Sequence, residues 1–320
     1  MIETLARGDG SSAWCVFIGA TSGTVLASLP EAAAREIFAG PETLLCGVFA
    51  PRGTATAEGD GYRVEGRWAW GSGTENADWI LAGCRVVRDG QVETFPNGVP
   101  RPRMMILPRE QVTLLDTWHV AGLCGTGSTD FEVRDAFVPE SHVVGIGDSP
   151  QRRRPLYSFP QFGLLGMGIA AVALGLADAA VAELVALAGS KTPSMSARTL
   201  AERPSSQSEV ARAEAERRAA RAFYYEAIEQ ARVEASSGAG LSVARRRDIR
   251  LATTHATHAA AGVVGRMYHL AGGSSVYRSS PLQRIFRDVN VATQHMMVAT
   301  GVLELTGRLL LGLETDVAQL

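Results

Sequence analysis

The sequence predicts an α+β protein built from helices, then a β-domain, then a four-helix bundle. Three observations lead there. Apolar residues recur at helical spacing through residues 1–45. From about Cys46 to Val144 the period changes to two, with Gly, Pro, Asn and Asp separating the apolar runs. From about Phe162 the period is helical again to the end. At 320 residues the chain is long for one core. The division that follows is residues 1–45, 46–150 and 151–320.

Residues 11–40 read as two helices. Ser11 or Ser12 is placed to cap the first, and Trp14, Phe17 and Ile18 sit at core spacing. The second begins near Pro30, a favourable first-turn residue, and runs to Gly40. Six strand candidates follow: 47–50, 62–70, 79–87, 104–107, 112–115 and 131–138. Short strands of this kind predict a small antiparallel barrel or sandwich. Gln91 to Arg103, with its prolines, reads as a surface loop. Beyond it, Gly163 to Ala188 is a long helix rich in small apolar residues. A second long helix carries Val210, Ala213, Ala220, Phe223, Tyr224, Ala227, Ile228 and Ala231 on one face, and Gly238-Ala239-Gly240 ends it. The third carries Ile249, Thr253, Ala256, Ala260, Val264, Met267 and Leu270. The last carries Val298, Val302, Leu305, Leu309 and Leu313. Four such helices make an antiparallel bundle.

The totals exclude several classes. A net charge of −2 gives no general basic field for nucleic acid. Four scattered cysteines with no C-x-x-C read as reduced thiols of a cytoplasmic protein, neither a disulfide framework nor a metal site. No apolar run is read as long enough to cross a membrane without a break. His255 and His258 sit three apart on one helix, but no third ligand joins them. Arg245-Arg246-Arg247 with Arg250 reads as a solvated helix start or a subunit contact.

The stretch 62–73 stands out. Tyr62, Val64, Trp68 and Trp70 alternate with Arg63, Glu65 and Arg67, after an Asp60-Gly61 turn signal. The strand then runs into Gly71-Ser72-Gly73, one hydroxyl between two residues without side chains. A flat cofactor laid against Trp70 would have Ser72 within hydrogen-bond reach. The competing reading is a core strand that ends in a tight turn.

Five motifs in order carry a resemblance. They are Leu5-Ala-Arg-Gly-Asp-Gly-Ser-Ser-Ala-Trp14, Gly66-x-Trp68-x-Trp70-x-Ser72-Gly73, Trp118-x-x-x-Gly122-Leu-x-Gly125-Thr-Gly127-Ser128, Phe137-Val138-Pro139 and Arg284-x-x-Arg287-Asp288. Together they resemble the acyl-CoA dehydrogenase superfamily, and within it the flavin-dependent oxygenase components of two-component hydroxylases. The resemblance implies N-terminal helices, a middle β-barrel, a C-terminal four-helix bundle and a homotetramer, with flavin between barrel and bundle. Family members carry further helices ahead of this chain's first residue, so the chain reads as truncated there.

The resemblance also assigns roles. The dehydrogenase branch needs a carboxylate to remove a proton alpha to a thioester while FAD accepts hydride. The stretch 287–296 holds no Glu, and the first bundle helix holds no acid before Asp178. In the place of the first stands His295. In the monooxygenase branch a histidine there deprotonates a phenol-like substrate or hydrogen-bonds the flavin–oxygen adduct, work suited to an imidazole of pKa about 6.5. Ser72 is implied beside flavin N5 and C4a, where O2 adds to form a C4a-peroxyflavin. Trp70 is implied against the ring, Phe49 and Ala50 along it, and Ser128 at its edge. Arg198 and Gly272-Gly273 match the positions that meet flavin phosphates, though without the family's flanking Phe-Gly and Gln. No Gly-x-Gly-x-x-Gly follows a strand, so reduced flavin, FMNH2 or FADH2, is expected from a separate reductase. The expected activity is hydroxylation of a small aromatic or polycyclic compound. The alternatives are an acyl-CoA dehydrogenase with FAD, or a non-catalytic paralogue.

Overall fold

The computed structural model describes residues 1–145, 148–151, 154–238 and 240–320. Its elements are α1 (Ile2–Gly8), α2 (Gly10–Gly23), α3 (Glu31–Ile37), β1 (Leu45–Glu58), β2 (Gly61–Gly71), β3 (Trp79–Arg88), β4 (Gln91–Val92), β5 (Pro102–Pro108), β6 (Thr113–Leu115), β7 (Thr129–Pro139), β8 (Val143–Gly145), α4 (Gln161–Ala188), α5 (Pro204–Ala235), α6 (Val243–Ala271), α7 (Pro281–Ala292) and α8 (Gly301–Leu310). The order helices, strands, helices is the one the sequence predicts. Contacts gather the chain into two units. A helical unit comprises Met1–Trp14, Val120–Gly125 and Ser158–Leu320, and a sheet unit comprises Cys15–His119 and Thr126–Tyr157. The segments 1–45, 46–150 and 151–320 divide the sequence; the two units divide the contacts.

In the sheet unit the strands pair in the order β6-β7-β2-β1-β3-β5-β8, with β4 added on β3. The sheet is mixed, which corrects the wholly antiparallel expectation. β1 and β3 are parallel neighbours, Leu45 facing Trp79. The chain reverses from β1 into β2 and reverses again into β3, which takes the far edge of β1, so β3 must run with β1. Glu58 pairs with Gly61 across a two-residue turn. Gly59, with φ +59°, supplies the left-handed turn position, so the turn lies one residue before the predicted Asp60-Gly61. β1 is longer than the predicted 47–50, because a register shift between Val48 and Gly53 absorbs Pro51. β4 lies inside the predicted loop, and β8 was not predicted.

One core of this unit gathers Leu26, Leu29, Ile37, Leu45, Leu81, Met104, Ile106 and Val144. Trp68 anchors another part. It is fully buried, stacks on Phe131 at 5.1 Å between centroids, and donates from Nε1 to the Gly83 carbonyl at 2.7 Å. Gly53 makes room for it, since a Cβ there would lie 2.1 Å from the indole.

In the helical unit, α2 is capped by Asp9, whose Oδ1 accepts from the Ser12 N–H at 2.8 Å. Neither Ser11 nor Ser12 is the cap. Ala170, Ala171, Leu174, Ala220, Tyr224 and Ala256 form a seam joining α4, α5 and α6. Small residues on α4 permit close approach. A Cβ at Gly175 would lie 2.3 Å from the Glu3 carbonyl of α1. α4 corrects another expectation: its 28 residues are long and apolar enough to cross a membrane. However, 72% of its most apolar window is buried inside the protein, as in a bundle-core helix. Gly238 and Gly240 have positive φ after α5, as a helix stop requires; Ala239 lies outside the described residues.

The predicted last helix, from Val298, starts only at Gly301, and a helix that was not predicted, α7, precedes it. α7 ends at Ala292, a short 3-10 turn covers Met296–Val298, and α8 starts at Gly301, leaving Leu313 beyond its end. Side chains take over the turn's backbone groups. His295 accepts the Met297 N–H, and Arg250 donates to the Met297 carbonyl. Similarly, α3 ends at Ile37, short of Gly40.

Trp68→Ala is expected to destabilise the fold by about 3–5 kcal/mol through cavity formation. Trp68→Phe should cost less, keeping the stack but leaving a buried carbonyl unpaired. Urea denaturation of the two variants checks the ranking.

Candidate active site

The strand pairing of β2 with β7 brings the first cluster together. Gly71 faces Thr129, and the strands are antiparallel, so Ser72 just past β2 faces Ser128 just before β7. Their hydroxyl oxygens are 2.6 Å apart, and Ser128 Oγ lies 2.7 Å from Thr126 Oγ1. All three residues are buried. Gly73 and Gly127, both at positive φ, bracket the chain of hydroxyls. The Gly73 N–H donates to the Thr126 carbonyl at 2.9 Å.

Trp70 departs from its predicted place. A second register shift between β2 and β7 falls between Trp68 and Gly71. There Trp70 takes φ +68°, a backbone state costly for a bulky residue. The shift turns its indole off the face that Tyr62, Val64 and Trp68 bury, leaving it 73% exposed. The arrangement offers a large aromatic surface and a buried row of hydroxyls within a few residues of one another. Phe49 and Ala50 lie in the irregular stretch of β1. Their carbonyls approach Gly83 so closely that a Cβ there would lie 2.4 and 2.6 Å away. Cys46, whose Sγ would sit 2.9 Å from a Cβ at Gly73, is no nucleophile, because burial pushes its thiol up to about 12.

The second cluster belongs to the helical unit. His295 is half-buried at the break between α7 and α8. Its Nδ1 accepts the Met297 N–H at 3.2 Å, so the neutral ring carries its proton on Nε2. Trp14 meets the ring edge-on at 5.9 Å. Burial, with the positive charge of Arg250 added, pulls the imidazole down to about 4. This corrects the expected near-neutral acid–base group. The ring is neutral at physiological pH and is a poor base for a phenol, but it is a ready donor through Nε2–H. Nearby, Asp288 accepts the Leu123 N–H at 2.6 Å, and Arg287 donates to the Ala121 carbonyl at 2.7 Å. These bonds fix the Val120–Gly125 segment within this unit. Burial raises the Asp288 carboxyl.

A family described as acyl-CoA dehydrogenase, C-terminal domain, matches residues 167–300. The chain is 34% identical to an indole-3-acetate monooxygenase of Pseudomonas putida, over 98% of this chain and 78% of that protein. It is 31% identical to the oxygenase component of an FADH2-dependent resorcinol hydroxylase of a Rhizobium species, over 97% of this chain and 79% of that protein. Among solved structures, XiaF from a Streptomyces species, in complex with FADH2 and glycerol, superposes with a TM-score of 0.90 at 28% identity. That match covers all of this chain and 82% of the other. The chain belongs to the flavin-dependent monooxygenases of the acyl-CoA dehydrogenase fold.

The remaining positions of this flavin-dependent monooxygenase fall differently. Arg198 is exposed in the α4–α5 linker, its backbone N–H on the Ser196 hydroxyl. Gly272, at φ +52°, ends α6, and Gly273 is exposed beside it. Lys191 donates to the Ala271 carbonyl at the same helix end. His119 is exposed and lies 3.3 Å from Asp116. His255 is exposed, and His258 bonds the Val298 carbonyl at 2.9 Å. Among the described residues, no three His, Cys, Asp or Glu side chains converge as metal ligands would. Sequence reasoning missed two residues. Thr126 stands inside the 118–128 motif but was given no role of its own. Arg250, read with the solvated arginines, is 1% exposed. Its spacing of three from Thr253 and seven from Thr257 is the signal that places it on the buried stripe of α6.

The depressed His295 pKa carries a stability consequence. Between about pH 6.5 and 4 the unfolded chain takes a proton at this position that the folded protein refuses, so stability falls as pH falls through that window. The loss attributable to His295 is on the order of 3 kcal/mol by pH 4. Urea titrations from pH 7 to 4 should show a shallower decline in His295→Gln than in the wild type.

Proposed function

We propose that this protein is the oxygenase component of a two-component system, hydroxylating a small aromatic compound with reduced flavin and O2. The single observation that carries the site assignment is the buried Ser72–Ser128–Thr126 hydroxyl chain beside an aromatic ring held outward at a left-handed backbone position. These residues fit a flavin. Trp70 offers a face for a flat ring, Phe49 and Ala50 a stretch of irregular backbone, and Ser72 and Ser128 hydroxyls for a polar edge. Arg198, Gly272 and Gly273 are proposed for the phosphate end. Bound there, reduced flavin supplies the two electrons with which O2 is divided between hydroxylated product and water.

The chain's own residues do the rest. Ser72, its hydroxyl oriented by Ser128, donates at the reacting edge of the cofactor. His295 is proposed to act on the substrate or the oxygen by donation from Nε2–H, since its Nδ1 is committed to Met297 and its basicity is low. The relatives' names place indole-3-acetate and resorcinol among the substrates of similar proteins, so a monocyclic or bicyclic aromatic is the class we favour here. A separate flavin reductase, a cytoplasmic location and a homotetramer complete the proposal. Exposed leucines in and just after α8, Leu303, Leu310, Leu311 and Leu313, are the faces we propose to be covered by further copies.

Anaerobic titration with FMNH2 and FADH2, followed by rapid mixing with oxygenated buffer, tests the reading. The wild type should bind reduced flavin and give a transient absorbance distinct from both reduced and oxidised flavin. Ser72→Ala should shorten its lifetime roughly ten-fold, the worth of one hydrogen bond. Tight binding of oxidised FAD that an acyl-CoA bleaches would assign the dehydrogenase reaction instead, and binding of neither flavin would overturn both.

A further inference from the structure

Arg250 is a buried cation that the proposed reaction does not use. It is 1% exposed on α6, and no carboxylate pairs with it among the described residues. Its Nη1 donates to the Met297 carbonyl at 2.7 Å, contacts Met297 Sδ at 3.7 Å, and reaches the Phe162 carbonyl at 3.4 Å. Its Nε is buried with no hydrogen-bond partner. Gly166 on α4 makes the space, because a Cβ there would sit 3.3 Å from Nη1. Burying an unpaired guanidinium is costly, and a hydrocarbon side chain of similar volume would suit packing as well or better. A structural role alone therefore does not account for a charge here.

What the charge acts on is the turn that holds His295. The residue whose carbonyl takes the guanidinium is the one whose N–H meets the imidazole. We propose that Arg250 is a positioning residue for His295: it clamps the Met297 carbonyl, so that the Met297 N–H is delivered to Nδ1 and the ring is held with its proton on Nε2. The two bonds act from opposite sides of one residue, so the turn cannot rotate without breaking one of them. Charge works in the same direction. Trp14, from α2, presents an uncharged edge to the ring. Among the described residues, Arg250 is the charge that bears on it, and it opposes a second proton. The inference rests on the proposed role of His295 for its importance to the reaction, but not for its test.

The test is nitrogen NMR of the imidazoles in flavin-free protein, with the His295 signals assigned by their loss in His295→Gln. In the wild type, His295 should show one neutral form, unprotonated at Nδ1 and protonated at Nε2, from pH 8 down to about 5. In Arg250→Met the signals should move toward an average of the two neutral forms, and the titration midpoint should rise by about one pH unit or more toward the ordinary value. Arg250→Lys, which restores the charge and one donor, should return the midpoint part of the way. A folded Arg250→Met with the wild-type tautomer and midpoint overturns the proposal. If Arg250→Met does not fold, Arg250→Gln, which removes the charge, decides by the titration midpoint, and a wild-type midpoint there overturns the proposal. Because no flavin is present, a failure here is distinct from a failure of the oxygenase reading.

Discussion

Backbone groups that leave a regular ladder inside a protein must find new partners, and both clusters arise where this chain meets that constraint. At the end of β2 the register shift before Gly71 takes the strand out of its pairing with β7. The Thr126 carbonyl takes the Gly73 N–H released there, and the Thr74 hydroxyl donates to the Gly71 carbonyl. At the end of α7 the helix stops, and His295 and Arg250 take the N–H and the carbonyl of Met297. At the second break His295, one of the groups that repair the backbone, is also the group proposed to act in the reaction.

The general outline was legible because it rests on periodicity. Alternation in 62–68 and the small-residue stripe of 163–188 each demand a buried partner surface, and local sequence is enough to say so. The details that failed are tertiary. Nothing local tells β3 to take the far edge of β1 in parallel. The hydrogen bond that braces the turn between α7 and α8 joins Arg250 to Met297, 47 residues apart in sequence. The site was legible in part. Ser72 and Ser128 could be singled out by motif, but their meeting depends on the Gly71–Thr129 register. Trp70 was placed on the wrong face, because alternation assumes a regular strand and the register shift is invisible to it. His295 was found by position, while its low basicity comes from burial and from a distant charge.

The helical unit also bears on the choice between the two reactions this fold supports. Removal of a proton alpha to a thioester needs an ionised carboxylate directed at the substrate. Asp288, the buried acid nearest in sequence to His295, is occupied with the Leu123 N–H. Asp178, on α4, is paired with Arg7 and Arg217. Both acids are bound up in architecture, and the group at the α7–α8 break is an imidazole held neutral. A neutral imidazole with its proton on Nε2 can donate a hydrogen bond, which is the part proposed for it in the oxygenase reaction.

Trp70 illustrates a conflict between robustness and use. A bulky residue in the left-handed region costs of order 1–2 kcal/mol, and an indole 73% exposed recovers little of that by packing. Glycine or asparagine would sit there with less strain. Any campaign that selects variants of this protein for heat resistance alone would therefore be drawn to this position, and would improve the scaffold by discarding the surface on which a flat cofactor is proposed to rest.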